Sequence, residues 1–425
     1  MNDTIYAISS GAPPAAIAVM RLSGPGAFAA VERLAGTLPQ PRRASLRTLR
    51  AGDEVLDRAL VLLFPGPATA TGEDLAELHL HGGRAIVRAV SDALAAMPGM
   101  RPAEAGEFTR RALFNGRIDL TEAEGLADLL AAETEMQRRA AIRAAEGGIR
   151  RLVEQWAART VQLSALVEAA LDHADEDDVS SADSNLAELI AELSREIDGV
   201  AARPGSERLR DGVRIVLAGQ PNAGKSTLLN ALVDRDAAIV SPLAGTTRDR
   251  IEVPIMRNGI AYLLIDTAGL NETPADQVEE IGIARARQSI GQADLLLWLN
   301  DVPPPAEPVP VLWLNPRSDL PDRDAEPERL SVSALTGEGM AELWQAIEEA
   351  VAALLPAPDA VALNQRQRML ASAAASHLRA ASSEPDQLLQ AERLRAAMRS
   401  FHAITGAIDV EAMLDALFGQ FCIGK

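Results

Sequence analysis

Cysteine is nearly absent from this 425-residue chain: Cys422 is the one example. A single thiol cannot close an intramolecular disulfide or build a cysteine-rich metal site. Lysine is almost as scarce. Of 41 cationic residues only Lys225 and Lys425 are lysines, and the rest are arginines. Where arginine fills nearly every cationic position, a surviving lysine marks a place that needs a compact ammonium rather than a planar fork. No apolar run approaches the ~18 residues of a membrane span. The opening MNDTIYAI carries no cationic leader, so secretion is not expected. A basic surplus is lacking too. Against 60 acidic residues the net charge is −19, which argues against non-specific binding to nucleic acid or anionic membrane but leaves room for a local basic patch. These absences predict a cytoplasmic protein.

At ~100–200 residues per domain, the length predicts two to four domains. Residues 1–117 mix short apolar runs (Ile17–Leu22, Leu60–Phe64, Leu75–Leu80) with Gly and Pro turns, a pattern of α+β or α/β, of which α+β is the expectation for this domain. From Thr121 to about Leu171 the pattern is helical, one long helix or a broken pair, with Thr121 and Glu124 as a capping-box signature. The acidic run Asp172–Asp178 ends it, and a further helix is expected over Asn185–Ala202. Residues 211–356 alternate strand patterns (Val213–Ala218, Tyr262–Ile265, Leu295–Leu299, Val309–Leu314) with helical stretches. That is the alternation of a parallel sheet covered by helices. Beyond Pro356 the chain is again helical to about Phe418. The expected architecture is a multidomain α/β plus α protein. An N-terminal domain (1–117) is followed by a helical domain (118–210 and 357–425) into which an α/β domain (211–356) is inserted.

The first chemistry-bearing motif is Gly219-Gln220-Pro221-Asn222-Ala223-Gly224-Lys225-Ser226, after a strand pattern and before a helical one. Glycines let backbone amides wrap phosphates, Lys225 reaches the β- and γ-phosphates, and the Ser226 hydroxyl ligates Mg²⁺. Downstream, Asp266-Thr267-Ala268-Gly269 ends a strand, with Asp266 expected behind Mg²⁺ and the Gly269 amide on the γ-phosphate. Between them lies Gly245-Thr246-Thr247-Arg248-Asp249, and Ser333-Ala334-Leu335 follows. Each motif alone is weak, but four in this order are specific.

This set, with Pro221-Asn222 before AGKS, resembles the TrmE–Era–Septin-like class of GTPases and implies a Ras-like P-loop fold. The resemblance implies GTP contacts at Asn222, Ala223, Gly224, Lys225, Ser226, Thr227, Ser241, Pro242, Leu243, Ala244, Gly245, Thr246, Thr247, Asp266, Thr267, Ala268, Gly269, Asp319, Ser333, Ala334 and Leu335. It implies Mg²⁺ on Ser226 and Thr247, and K⁺ on Asn222, Ser241, Leu243 and Thr246. Leu270 stands where many GTPases place a water-orienting glutamine. The cation on Asn222 is the class's substitute, and Glu279 matches a glutamate that orients water at long range, beside the plainer reading of a solvated helix face. Asn222, Lys225 and Glu279 are thus the expected catalytic residues. The guanine motif departs from N-K-x-D. The segment reads Asn315-Pro316-Arg317-Ser318-Asp319, so the asparagine is either replaced by Pro316 or displaced to Asn315.

Both ends of the chain narrow the resemblance. DTIYAISS…IAVMRLSG, ELHLHGG, GEFTRRALFNGRIDL and the terminal FCIGK resemble the tRNA-modifying branch of that class over essentially all 425 residues. The resemblance implies an N-terminal domain that forms the homodimer and binds a 5-formyl- or methylene-tetrahydrofolate through Arg21, Glu77, Arg117 and Lys425. It further implies an FAD-containing partner with which an aminomethyl or carboxymethylaminomethyl group is installed at C5 of the tRNA wobble uridine. Cys422 is counted among the catalytic candidates, against a bland reading as a small buried hydrophobe. His79 and His81 share a strand face but have no evident third ligand, so a metal site is not expected. Arg139, Arg143 and Arg150, with Arg138 and Arg151 beside them, form either a phosphate-binding stripe or a solvated face paired with Glu135 and Glu146. The competing reading of the whole is a regulatory or ribosome-assembly GTPase without modification chemistry.

Overall fold

The computed structural model describes residues 3–172, 180–220, 222–234, 238–239, 251–266, 291–304, 309–321, 326–407, 417–419, 421, 423 and 424. The chain divides into two units, residues 1–127 with 402–425 and residues 128–401.

The first unit is built on a six-stranded sheet. Its strands are β1 (Thr4–Ile8), β2 (Ile17–Ser23), β3 (Ser45–Ala51), β4 (Glu54–Phe64), β5 (Leu75–His81) and β6 (Met100–Pro102), in the order β3-β4-β5-β2-β1-β6. All neighbours are antiparallel except β1 and β6. Strict alternation sends Met20, Leu22, Val61, Leu63, Leu78 and Leu80 into one core. It turns Arg21, Ser23, Glu77 and His79 to the other face. Helix Glu107–Phe114 packs there through Phe108, which joins Ile5, Ala7 and Ala103.

A charged cluster locks this arrangement. Arg111 is 1% exposed and donates to Glu73, to Asp3 and to Glu107, itself 0% exposed. Arg101 bonds both Glu107 oxygens and Asp3. Burial alone would raise the Glu107 carboxyl, but Arg101, the Glu104 amide and Arg111 outweigh it and hold it below the ordinary glutamate range. Asp3 is lowered in the same way: burial raises it, and Arg101 and Arg111 overcome that.

The last residues are woven onto this unit. Ile423 pairs with Ala105, the Ser9 hydroxyl donates to the Gly424 carbonyl at 2.7 Å, and Phe418 and Phe421 pack on Leu120. Gly424 has φ +105, and a Cβ there would lie 2.0 Å from the Ile8 carbonyl oxygen, so only glycine fits.

The helical stretch expected from Thr121 is three helices: Leu120–Ala131, Glu135–Ala145 and Gly148–Asp172. The first is not capped by Thr121 and Glu124. Asp119 accepts from the Glu122 amide at 2.8 Å, and Glu122 accepts from the Asp119 amide at 2.7 Å. The box is therefore two residues earlier, with aspartate in place of threonine. Thr134 and Gln137 form a second box that restarts the chain, and Gly147, at φ +79, ends that helix. In the second unit helix Ser180–Ala201 packs on the alanine-rich helix Gln365–Ser382, where the Ser194 hydroxyl donates to the Ala375 carbonyl at 2.8 Å. Trp156 and Phe401 stack nearby at 6.1 Å.

The second sheet comprises β7 (Val213–Ala218), β8 (Ala238–Ile239), β9 (Ile251–Arg257), β10 (Ile260–Asp266), β11 (Leu295–Trp298), β12 (Val311–Pro316) and β13 (Leu330–Val332), in the order β13-β12-β11-β7-β10-β9-β8. The first five are parallel, and β9 and β8 are antiparallel. β7 is buried on both faces, with Ile215 and Leu217 in one cluster and Val216 and Ala218 in the other. That is what a covered parallel strand requires.

Because their folded values are depressed, Asp3 and Glu107 contribute stability that is present above their ordinary range and lost as pH falls through the folded values. Hydrogen exchange in β1 and helix Glu107–Phe114 should therefore accelerate below about pH 4.5, after correction for chemistry. Glu107→Gln should cost about 1–3 kcal/mol at neutral pH, because Arg101 and Arg111 lose one charged partner while Asp3 and Glu73 remain. Unchanged protection in that variant would refute the role given to the cluster.

Candidate functional site

The carboxyl ends of the parallel strands converge on one loop. β7 runs into Gly219, and the loop turns through Asn222 at φ +61 and Gly224 at φ +95 before helix Lys225–Asp234. Asparagine tolerates the left-handed region better than most side chains. The Gln220 amide donates to the Asn300 side chain at 2.8 Å, tying the loop to the end of β11. Lys225 is 5% exposed, and its Nζ donates to the Gly219 and Gln220 carbonyls, each at 2.8 Å. Burial pushes the Lys225 ammonium below its ordinary value, and the Asp266 carboxylate partly offsets that. The ammonium is thus held by its own loop beside the amino end of a helix, a ready anion site.

The Ser226 hydroxyl donates to Asp266 Oδ2 at 2.6 Å. Asp266 ends β10 and pairs with Leu217. A hydroxyl and a carboxylate side by side next to a phosphate loop are hard oxygen donors, and they fit Mg²⁺.

A cavity of about 300 Å³ opens beside the loop, lined by Gly224, Thr227, Pro316, Arg317, Asp319, Ala334 and Leu335, among others. The Ser333 hydroxyl donates to Asp319 Oδ1 at 2.5 Å, and the Thr336 amide donates back to that hydroxyl at 3.1 Å. Asn315 is buried, and its amide donates to the Ser331 hydroxyl at 3.3 Å. Pro316, one residue on, faces the cavity. Of the two residues, Pro316 lines the cavity and Asn315 bonds across to β13.

Asn222, Ala223, Gly224, Lys225, Ser226, Thr227, Asp266, Asp319, Ser333, Ala334 and Leu335 thus gather around one loop and one cavity. Ser241, Pro242, Leu243, Ala244, Gly245, Thr246, Thr247, Thr267, Ala268, Gly269 and Glu279 lie outside the described residues. Asn300 was not anticipated. It follows a strand in an unremarkable LND, and nothing in the sequence marks its side chain as a loop anchor.

In the first unit Arg21 and Glu77 are direct cross-strand partners. Arg21 Nη2 donates to Glu77 Oε1 at 2.9 Å, and the guanidinium lies 5.9 Å from the Phe108 ring centre. Ser23, two residues along the same strand face, bonds Thr71 and Glu73, each at 2.7 Å. Arg117 donates to the Thr69 carbonyl at 3.1 Å on that same loop. Cys422 and Lys425 lie outside the described residues. Phe108 went unnoticed in GEFTRR, where it reads as an ordinary core residue. His79 reaches Glu77 at 3.4 Å and His81 reaches the buried Asp57 at 2.7 Å. Among the described residues no group of three or more possible ligands could hold a metal ion.

The arginine stripe is not one surface. Arg139 and Arg143 sit on one helix and Arg150 on the next. Arg138 and Arg139 both bond Glu135, Arg143 bonds Asp359, and Arg150 bonds Glu154. Arg138 and Arg139 hold the Glu135 carboxyl down to about 2. A face neutralised in this way favours the solvated reading. No described helix is long and apolar enough to cross a membrane.

A parallel sheet with a lysine-bearing phosphate loop, a serine–aspartate pair and an adjoining aspartate-marked cavity defines a P-loop GTPase. Residues 4–117 match the family described as GTP-binding protein TrmE N-terminus, and residues 120–422 match the MnmE helical domain. The chain is 54% identical to a tRNA modification GTPase MnmE of Rhizorhabdus wittichii, over 100% of this chain and 97% of the relative. It is 52% identical to that of Erythrobacter litoralis, over 100% of both chains. It is 51% identical to that of Novosphingobium aromaticivorans, again over 100% of both. The chain belongs to the MnmE family.

Lys225→Ala should weaken GDP binding by about 10- to 100-fold, the worth of one or two charge-assisted hydrogen bonds. Isothermal titration checks this, and an unchanged affinity would remove Lys225 from the site.

Proposed function

We propose that this chain is a K⁺-activated GTPase that acts on tRNA. With an FAD-containing, MnmG-like partner it installs an aminomethyl or carboxymethylaminomethyl group at C5 of the wobble uridine, taking the carbon from a folate. The observation that carries the GTPase half is the clustering of Lys225, Ser226 and Asp266 on a loop and helix start whose Gly224 and Thr227 line the Asp319 cavity. The remaining half is carried by relationship to MnmE along the whole chain.

Lys225 would exchange its two loop carbonyls for β- and γ-phosphate oxygens, so no new desolvation is needed when nucleotide enters. Ser226 and Thr247 would hold Mg²⁺, with Asp266 behind them, and the ion supplies charge neutralisation at the phosphates. Asp319 would accept from the N1 and 2-amino groups of guanine. Asn222 stands exposed on the loop, where its side chain can serve K⁺ together with Ser241, Leu243 and Thr246. Glu279 would orient the attacking water, which Leu270 cannot do.

In the N-terminal domain (1–117) Glu77 would accept from the pterin ring. Arg21 would hold that carboxylate in place from across the strand pair. Arg117 and Lys425 would meet the anionic tail, and the folate supplies the one-carbon unit. The exposed Leu46, Leu60 and Ile17 lie on the same sheet face as Arg21 and Glu77. That face supports a homodimer through this domain. The role of Cys422 is left open. The helical domain (118–210 and 357–425) would carry the inserted GTPase domain (211–356), and a cytoplasmic setting suits a tRNA substrate.

Steady-state GTP hydrolysis in KCl against NaCl at equal ionic strength tests the mechanism. K⁺ should raise the rate at least about tenfold, a barrier change of about 1.4 kcal/mol. Asn222→Ala should abolish the difference. Equal rates in both salts would sink the cation mechanism.

A further inference from the structure

We propose that guanine N7 goes unread in this chain: Asp319 holds the N1 and 2-amino groups of the base, and the Arg317 guanidinium grips its face by stacking. This rests on the guanine-nucleotide reading of the cavity.

Among the described residues Asp319 is the one carboxylate lining the cavity, and the Ser333 hydroxyl at 2.5 Å fixes its rotamer. A fixed carboxylate accepts from N1–H and the 2-amino group of guanine. Adenine offers it an unprotonated N1 and no 2-amino group. Away from those groups guanine presents the N7 acceptor, and reading it would need a donor.

The strand that walls the cavity supplies none from positions 315 and 316. Pro316 carries no N–H and only a hydrocarbon ring. Asn315 is the cross-strand neighbour of Ser331 and spends a side-chain N–H on its hydroxyl. Strand alternation puts Asn315 and Pro316 on opposite faces. Bringing the Asn315 amide round would require a one-residue slip of β12, which would also expel Leu314 from the core.

Arg317 stands at φ +60, an uncommon conformation for a long side chain. Its Nε lies 3.6 Å from where a Cβ on Gly224 would be. The guanidinium therefore lies against the phosphate loop and forms a wall of the cavity. A planar, weakly hydrated cation is suited to stack on a purine face. Among the other described lining residues, Thr227 carries the one polar side chain.

Equilibrium binding of GDP, 7-deaza-GDP and ADP to the full chain tests this, since 7-deaza-GDP differs only in replacing N7 by C–H. GDP and 7-deaza-GDP should agree within about twofold, less than one neutral hydrogen bond is worth. ADP should be weaker by more than about a hundredfold. Arg317→Ala should weaken both guanine ligands equally, by about 3- to 30-fold. Pro316→Asn, which adds an amide to the wall, should improve GDP over 7-deaza-GDP by about 3- to 10-fold. The first comparison needs no variant and so does not depend on any variant folding. A tenfold preference of the unaltered chain for GDP over 7-deaza-GDP would overturn the inference and leave guanine recognition standing. Loss of that preference in Arg317→Ala would show that Arg317 donates to N7 instead of stacking. ADP binding as tightly as GDP would bring down the guanine reading and the inference with it.

Discussion

The nucleotide site depends on one register. β7 lies at the centre of its sheet, with Asp266 of β10 opposite Leu217 on one side and Trp298 of β11 opposite Ala218 on the other. That pairing sets the phosphate loop, the Ser226–Asp266 bond and the Asn300 anchor at the same level. Side chains alternate with a period of two, so a slip by one residue would turn Asp266 away from Ser226 and bury the wrong faces of β7. The hydrophobic clusters on both sides of β7 are what forbid the slip. Specificity of chemistry here rests on apolar packing beneath it. The site lies at the carboxyl ends of the strands, where open α/β sheets characteristically hold ligands.

The first unit solves a different problem. Its sheet has one well-covered face and one face that carries Arg21, Glu77 and His79 among partly exposed apolar residues. Such a face needs rigid support if a ligand is to be held on it. The Arg111 cluster provides that support, because it joins β1, the loop containing Glu73, β6 through Arg101, and the helix that carries Phe108. Replacing such a cluster by hydrocarbon can be neutral for stability. Its directional bonds, however, fix where the Phe108 ring and the Thr69–Glu73 loop stand relative to Arg21. The tail is held just as specifically at Gly424, whose backbone no other residue could reproduce against Ile8.

Much of this was legible in the sequence, and the limits have physical causes. Strands with a single strong period or a continuous apolar run were placed to within a few residues, as over Val213–Ala218 and Leu75–His81. The phosphate loop was legible because its residues are nearly all constrained by backbone geometry. The break into three helices after Leu120 was not placed, because Asp119 and Thr134 act through reciprocal side-chain bonds that resemble many other short polar clusters. The arginine stripe misled because periodicity carries no information about a break at Gly147. The fate of Asn315 could not be read at all. It depends on which face of β12 it occupies and on Ser331, a partner from another strand.

The scarcity of lysine ties these observations together. Arginine stands at 317, in the wall of the cavity beside the phosphate loop, with its Nε 3.6 Å from the point a Gly224 Cβ would occupy. Arginines also hold the charged cluster of the first unit, where bidentate geometry is an advantage. Lys225 is different in kind. Its Nζ sits between two consecutive carbonyls at 2.8 Å each, 5% exposed, in a space bounded by its own loop. A guanidinium is too wide to occupy that point and spreads its charge over three nitrogens rather than concentrating it where phosphate oxygens would lie. A chain that uses arginine almost everywhere therefore keeps lysine where the phosphate loop requires a point charge.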